Sequence, residues 1–310
     1  MAYNFSKLQK KLETVINCYV LSPRGFCLGV NKVIEKINET LNKYNNVYVT
    51  EDIIHNKIFM EHMSKKGVIK TESIEYIPNG SVIMVSAHGV PLKYIETCES
   101  KNLIIINGTC PIVENIQKAI KKNSDLGKKT ILIGHRKHSE VIGMIGYAER
   151  NSIFVIENKD EINDIPQEFF DAVCFTQTTL NKEETINIIS ILKEKFPQIK
   201  SPFDTCICYA TIERQKAIRM AVTNSTDLVI IIGSSHSSNT MRLVEIAKKC
   251  GAKTVVRIDS KNELEDKTLG KVVNNIVVTA GASAPEYLVT ELIEHIKEKF
   301  TDIVIHGLDP

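Results

Sequence analysis

The 310-residue chain contains no tryptophan. It has no excess of one charge, with 39 lysines and arginines against 37 aspartates and glutamates, and no basic block interleaved with stacking aromatics. Nothing in it therefore points to nucleic acid. Its longest apolar runs, such as Leu228–Ile232 and Ile276–Val278, are strand-length and far short of a membrane span. The first 17 residues carry lysines but no apolar stretch ending in a small-residue cleavage site. Glu13, and the lack of arginine before Arg24, argue against a transit peptide. A cytoplasmic, reducing compartment is expected, where eight cysteines serve as metal ligands, catalytic groups or core residues rather than disulfides. Walker loops are missing, and no G-x-G-x-x-G occurs at the first strand-to-helix turn, so a nucleotide is not indicated.

What the chain has instead is a threefold repeat aligned on particular cysteines. Cys27-Leu-Gly-Val, Cys110-Pro-Ile-Val and Cys208-Tyr-Ala-Thr each lead into a stretch with apolar residues at helical spacing. A buried strand then follows at nearly constant distance. Val47–Thr50, Thr130–Ile133 and Leu228–Ile232 end 24, 24 and 25 residues after their cysteines, counted to Glu51, Gly134 and Gly233. Each third continues through a polar loop, a second helix and another strand ending at Ser86-Ala-His-Gly, Thr176-Gln-Thr-Thr or Ala280-Gly-Ala-Ser. Short apolar strands alternating with helices imply parallel sheets whose carboxyl-end loops lie together. The pattern predicts a pseudo-threefold α/β protein of three small parallel-sheet lobes. The expected division is 29–110, 111–205 and 206–298, with an N-terminal strand in 18–28 completing the third lobe and terminal extensions at 1–17 and 299–310.

The six strand-to-helix loops hold most of the compact polar groups that chemistry uses: His55; His88; His135, His138 and Glu140; Thr176, Thr178 and Thr179; Ser237, Ser238 and Asn239; and Ser283. Any one loop is explained by ordinary capping and turn formation. Six loops brought together by the repeat are better explained by a binding site. Hydroxyls, an amide and backbone N–H groups before helix starts suit an anion, and histidines add donors or positive charge, so a phosphate-bearing ligand fits.

Cys18, Cys98, Cys174 and Cys250 read as core residues. Cys27, Cys110 and Cys208 differ, because each stands at a loop-to-helix junction where helix N–H groups favour thiolate. Their separations of 83 and 98 residues match no local finger or ribbon, so only the repeat unites them. Three thiolates could hold zinc, or a cubane iron–sulfur cluster with one iron left open. Cys206 competes with Cys208 for the third ligand position, and Cys208 is favoured because it matches the other two helix starts.

These residues resemble the 4-hydroxy-3-methylbut-2-enyl diphosphate reductase family from about Leu21 to Pro285. The motifs are Pro23-Arg-Gly-Phe-Cys27, His55-Asn, Ser86-Ala-His-Gly-Val90, Thr109-Cys-Pro111, Gly134-His with His138-Ser-Glu140, Thr176-Gln-Thr-Thr-Leu180, Ile207-Cys-Tyr-Ala-Thr211, Ser237-Ser-Asn239 and Ala280-Gly-Ala-Ser-Ala-Pro285. The resemblance implies a three-lobed trefoil around one [4Fe–4S] cluster, held by Cys27, Cys110 and Cys208 with its fourth iron open. It implies reduction of an allylic diphosphate to isopentenyl and dimethylallyl diphosphate, the last step of the methylerythritol phosphate route to isoprenoids. By the same pattern His55, His88, Ser237, Ser238, Asn239 and Ser283 hold the diphosphate, Glu140 supplies protons, and His138 and Thr178 position the substrate hydroxyl and a water. Electrons are expected from reduced ferredoxin or flavodoxin. Two departures stand out: Ser139 where the family commonly has proline, and Asn31-Lys in place of an acidic–basic pair. A zinc protein that binds a phosphorylated ligand without catalysis, and a structural trefoil binding no metal, remain as alternatives. A radical S-adenosylmethionine enzyme is disfavoured, since no Cys-x₃-Cys-x₂-Cys occurs.

Overall fold

The computed structural model describes residues 15–201, 206–272 and 274–307. β1 (Ile16–Val20) is followed by the first lobe: α1 (Leu28–Lys43), β2 (Val47–Val49), α2 (Lys57–Lys65), β3 (Val68–Lys70), β4 (Val82–Val85), α3 (Leu92–Ser100) and β5 (Ile104–Asn107). The second comprises α4 (Pro111–Asp125), β6 (Thr130–Ile133), α5 (Ser139–Ile145), β7 (Ile153–Ile156), β8 (Val173–Thr176) and α6 (Lys182–Lys195). The third comprises α7 (Tyr209–Ala221), β9 (Leu228–Ile232), α8 (Ser238–Lys249), β10 (Thr254–Ile258), α9 (Asp266–Leu269), β11 (Asn275–Ala280), α10 (Glu286–Lys299) and β12 (Ile303–His306).

Three sheets result, ordered β3-β2-β4-β5, β7-β6-β8 and β10-β9-β11-β1-β12. Each holds the same kernel, in which the strand after the cysteine-led helix lies between the next two, and every pairing is parallel. The place beside the third kernel strand is filled by β5 in the first sheet, by a bridge from Lys200 to Val173 in the second, and by β1 in the third. The architecture is thus the three-lobed α/β one that the repeat predicts.

Parallel strands buried on both faces need apolar side chains in both directions, and the sequence supplies them. In β9, Leu228, Ile230 and Ile232 pack towards α10, while Val229 and Ile231 pack towards α7 and α8. The second lobe repeats this: Ile131 and Ile133 face α6, whereas Leu132 faces α4 and α5. In the first, Val47, Val49, Val82 and Met84 face α1 and α2, and Ile83 faces Cys98 of α3. Each fully buried Ile, Leu or Val contributes about 1.5–3 kcal/mol. The cysteine-led helix and the helix after it therefore cover one face of every sheet.

The segment 299–310, expected to be an extension, is partly sheet: Ile303–His306 pairs with Ile16–Tyr19. Its alternation of half-buried and exposed residues is the mark of an edge strand, and a length of four residues hid it in the sequence. Residues 1–14 and 308–310 of the expected extensions lie outside the described residues. Among the described residues, no helix is long and apolar enough to cross a membrane.

Candidate active site

The three repeat cysteines occupy the same structural position, each the N-cap of its lobe's first helix. Cys27 Sγ accepts from the Val30 N–H at 3.5 Å, and Cys208 Sγ from the Thr211 N–H at 3.4 Å. Burial pushes the Cys110 and Cys208 thiols up, opposed at Cys110 by the Ile112 and Val113 amides and at Cys208 by the Thr211 hydroxyl and amide. At these two sites burial is the larger effect, and a bound cation would favour the thiolate. Cys206 packs instead into the core against α4, and its N–H donates to Thr176 Oγ1.

A cavity opens where the lobes meet, and the candidate residues named from the sequence line it except His135 and Thr176; Thr176 Oγ1 accepts the Cys206 N–H, and the His135 N–H donates to Gln177 Oε1. From the first lobe come Cys27, His55 and His88; from the second, Cys110, His138, Glu140 and Thr178; from the third, Cys208, Ser237, Ser238, Asn239 and Ser283. Gly29, Thr179 and Thr211 line it too.

Glu140, in the first turn of α5, is 2% exposed. Its carboxylate accepts the Thr178 N–H at 2.7 Å and the Thr178 hydroxyl at 3.0 Å. Burial raises its pKa to about 7 against the pull of those two bonds. Nδ1 of His138, the N-cap of α5, accepts the Glu140 N–H at 3.2 Å, which places the hydrogen of the neutral ring on Nε2. That Nε2 is buried without a partner.

His55 and His88 stack with ring centroids 4.0 Å apart, and His138 stands edge-on to both at 5.7 and 5.8 Å. Burial lowers all three pKa values, His138 to about 4 and His88 well below the usual histidine value. The rings are accordingly neutral donors rather than the cations that composition allowed. No lysine or arginine is among the described residues lining the cavity. On the third-lobe side Ser237 caps α8, the Ser238 hydroxyl bonds Thr179 Oγ1 at 2.9 Å, and the Asn239 amide leaves both polar atoms buried and unpaired. Asn56 Nδ2 donates to the Ser283 carbonyl at 2.9 Å, and Ser283 Oγ donates to the His55 carbonyl at 3.1 Å, which ties the first lobe to the third.

A buried, incompletely paired set of hydroxyl, amide and imidazole donors beside three thiols and a carboxylic acid suits an anionic ligand and proton-coupled chemistry. A family model described as LytB protein matches residues 18–297. The chain belongs to the LytB family. The 4-hydroxy-3-methylbut-2-enyl diphosphate reductase of Buchnera aphidicola subsp. Acyrthosiphon pisum is 41% identical to it over 287 residues, 91% of this chain and 89% of that one. The protein of the same name from Tolumonas auensis is 37% identical over 279 residues, 89% of each. Among solved structures, the E-1-hydroxy-2-methyl-but-2-enyl-4-diphosphate reductase from Plasmodium falciparum matches with a TM-score of 0.87 and 31% identity, covering 96% of this chain and 93% of that one. A second, (E)-4-hydroxy-3-methyl-but-2-enyl diphosphate reductase, described as the terminal enzyme of the non-mevalonate pathway, matches at 0.64 and 27%, covering 91% and 99%.

LytB membership implies an iron–sulfur group, and the residues fit one. Cys110 Sγ and Cys27 Sγ lie 2.8 and 3.9 Å from where a Cβ on residue 29 would sit, so only glycine leaves the sulfurs room. Among the described residues no three His, Cys, Asp or Glu side chains converge on a point that one ion could occupy. Thiols spread over a cavity wall suit a multinuclear cluster, which takes one thiolate per metal, better than zinc, which needs its ligands around one centre.

The sequence reading missed Arg214. It is 2% exposed on α7, and all three of its hydrogen bonds go to main-chain carbonyls: Gly25 at 2.6 Å, Ala210 at 3.2 Å and Ala280 at 3.3 Å. Burial lowers its pKa, and Cys27, Cys208 and Glu286 oppose that, so a cation stands behind two of the thiols. The signal was there, since residues 211, 214, 215 and 218 form the buried stripe of α7 and a charge on such a stripe is unusual.

Proposed function

We propose that this LytB-family chain is a 4-hydroxy-3-methylbut-2-enyl diphosphate reductase. Two electrons and two protons remove the allylic hydroxyl as water and leave isopentenyl and dimethylallyl diphosphate. Cys27, Cys110 and Cys208 hold one [4Fe–4S] cluster with its fourth iron open, and reduced ferredoxin or flavodoxin provides the electrons. Such a cluster, when bound, supplies single electrons and a Lewis acid for the departing oxygen. The observation that carries this reading is that three thiols, one buried carboxylic acid and a set of anion donors line the same cavity from all three lobes.

The chain's own residues divide the remaining work. Hydroxide is a poor leaving group, so a proton must arrive as the C–O bond breaks, and Glu140 with a pKa near 7 keeps a proton available at neutral pH. Thr178 fixes the direction of that carboxyl, and His138 Nε2–H donates towards the substrate hydroxyl. His55, His88, Ser237, Ser238, Asn239 and Ser283 offer donors to the diphosphate at the start of α8 and the neighbouring loops, where helix N–H groups favour anions. All eight cysteines are free, which suits a reducing cytoplasm.

The test is anaerobic oxidation of reduced methyl viologen by cluster-reconstituted protein, with and without the hydroxymethylbutenyl diphosphate. Oxidation that depends on the diphosphate and yields both five-carbon products is expected. No turnover with a verified cluster would defeat the proposal.

A further inference from the structure

Reducing an allylic alcohol needs electrons from outside this chain, and they must cross its surface somewhere. Gly29 lines two spaces at once: the central cavity and a separate surface depression between the starts of α1 and α4. Its missing side chain would lie 2.8 Å from Cys110 Sγ and 3.9 Å from Cys27 Sγ. One residue without a side chain therefore separates the depression from two thiols. Electron transfer weakens steeply with distance, so a wall this thin is a favoured crossing point.

The depression is also basic. Lys32 and Lys36, one turn apart on α1, line it and are exposed. Lys36 donates to the Asn107 carbonyl at 2.7 Å, and neither lysine forms an ion pair among the described residues. The one carboxylate lining it, Glu114, is taken by Lys118 at 2.8 Å. In a chain whose formal net charge is only +2, this is a local excess of positive charge. Apolar surface adjoins it, with Pro111 exposed on the rim and Leu28 73% exposed beside it. A small, charged and partly apolar contact suits a transient redox encounter, in which complementary charge raises the on-rate. None of the groups assigned to the diphosphate lines this depression, so a partner docked there leaves the substrate site free.

We propose that this depression is the docking site of a small acidic one-electron carrier protein, and that Gly29 is where its electrons enter. The inference rests on the reductase reading above. Two reduced carriers each give up one electron, and the pair reduces one substrate with two protons to product and water.

The test uses cluster-loaded protein with two donors, reduced ferredoxin as the acidic carrier and reduced methyl viologen as a small cation that needs no docking site. In the Lys32→Glu/Lys36→Glu double variant the KM for ferredoxin should rise at least tenfold, while viologen-driven turnover stays within twofold. The ferredoxin rate of the unaltered protein should fall as salt is raised, and the variant should lose that dependence. Lys32→Arg/Lys36→Arg, which keeps the charge, should keep the ferredoxin rate. An unchanged ferredoxin KM in the charge-reversed variant, or an equal loss with both donors, overturns the docking site. So does an unaltered protein that turns over with viologen but not with ferredoxin. Turnover with neither donor overturns the reductase reading, and this inference with it.

Discussion

The Glu140 carboxylate is held by a single residue, Thr178, whose N–H and hydroxyl donate to its two oxygens at 2.7 and 3.0 Å across the join between α5 and the end of β8. Two donors to one buried carboxylate oppose the desolvation that raises its pKa, and the balance sets it to about 7.

Glu140→Gln keeps the shape and loses the proton. Turnover should drop by about 10²–10⁴-fold while iron content and diphosphate affinity stay within about twofold. In the unaltered protein the acid form is the active one, so turnover should decline as pH rises through 7, falling towards tenfold per unit above it. Full activity in the glutamine variant would remove Glu140 as proton donor.

Thr178→Val removes one of the two opposing bonds and keeps the N–H. The Glu140 pKa should rise further, moving the declining limb of the pH–rate profile to higher pH. A limb that stays in place, or moves down, would mean that the hydroxyl does not tune the acid.

A polyanion entering a cavity without lysine or arginine should draw protons onto its imidazoles. His55, His88 and His138 start with lowered pKa values, so at neutral pH they are unprotonated, and a neighbouring diphosphate favours their charged forms. The substrate should therefore bind more tightly as pH falls from about 7 towards these lowered free-state values. Calorimetry in two buffers of different ionisation heat should show net proton uptake. Affinity independent of pH, with no uptake, would contradict this.

Arg214→Met removes the cation behind Cys27 and Cys208 and leaves the Gly25 and Ala280 carbonyls without their donor. The expected cost is about 2–4 kcal/mol of stability, with iron per chain falling below half. Thermal melting and iron analysis check both, and full iron loading would show that the thiols do not depend on this charge.

Ser139 is the first residue of α5, and His138 before it has φ −76° and ψ 135°, a conformation that proline tolerates in its predecessor. The Ser139 hydroxyl is buried with no partner. Ser139→Pro should therefore stabilise the fold by about 0.4–1 kcal/mol, leave iron content unchanged and alter turnover by less than about threefold. A loss of cluster iron would contradict it.

The strands nearest the cysteines were legible because they are continuous apolar runs: β6 and β9 have the expected bounds, and β2 ends one residue early at Val49. The candidate residues were legible because the repeat carried each of them to the carboxyl end of a strand or the start of a helix, where a cavity must form. Arg214 and Gly29 were not. Arg214 acts through carbonyls remote in sequence, and Gly29 matters for a side chain it lacks, so neither has a local pattern. β12 escaped for a different reason, since only its pairing with β1 makes four half-exposed residues a strand.

That pairing fixes an order of events. β1 lies between β11 and β12, with Cys18 opposite both Ile276 and Ile305, so the first described strand has no sheet to join until β11, which begins 255 residues after β1 ends (275 − 20), has been made. Cys27 comes seven residues after β1 ends. On a ribosome adding about 5–20 residues per second, β1 waits roughly ten to fifty seconds for its first partner strand. Completion of the third sheet around β1 is accordingly a late event in synthesis.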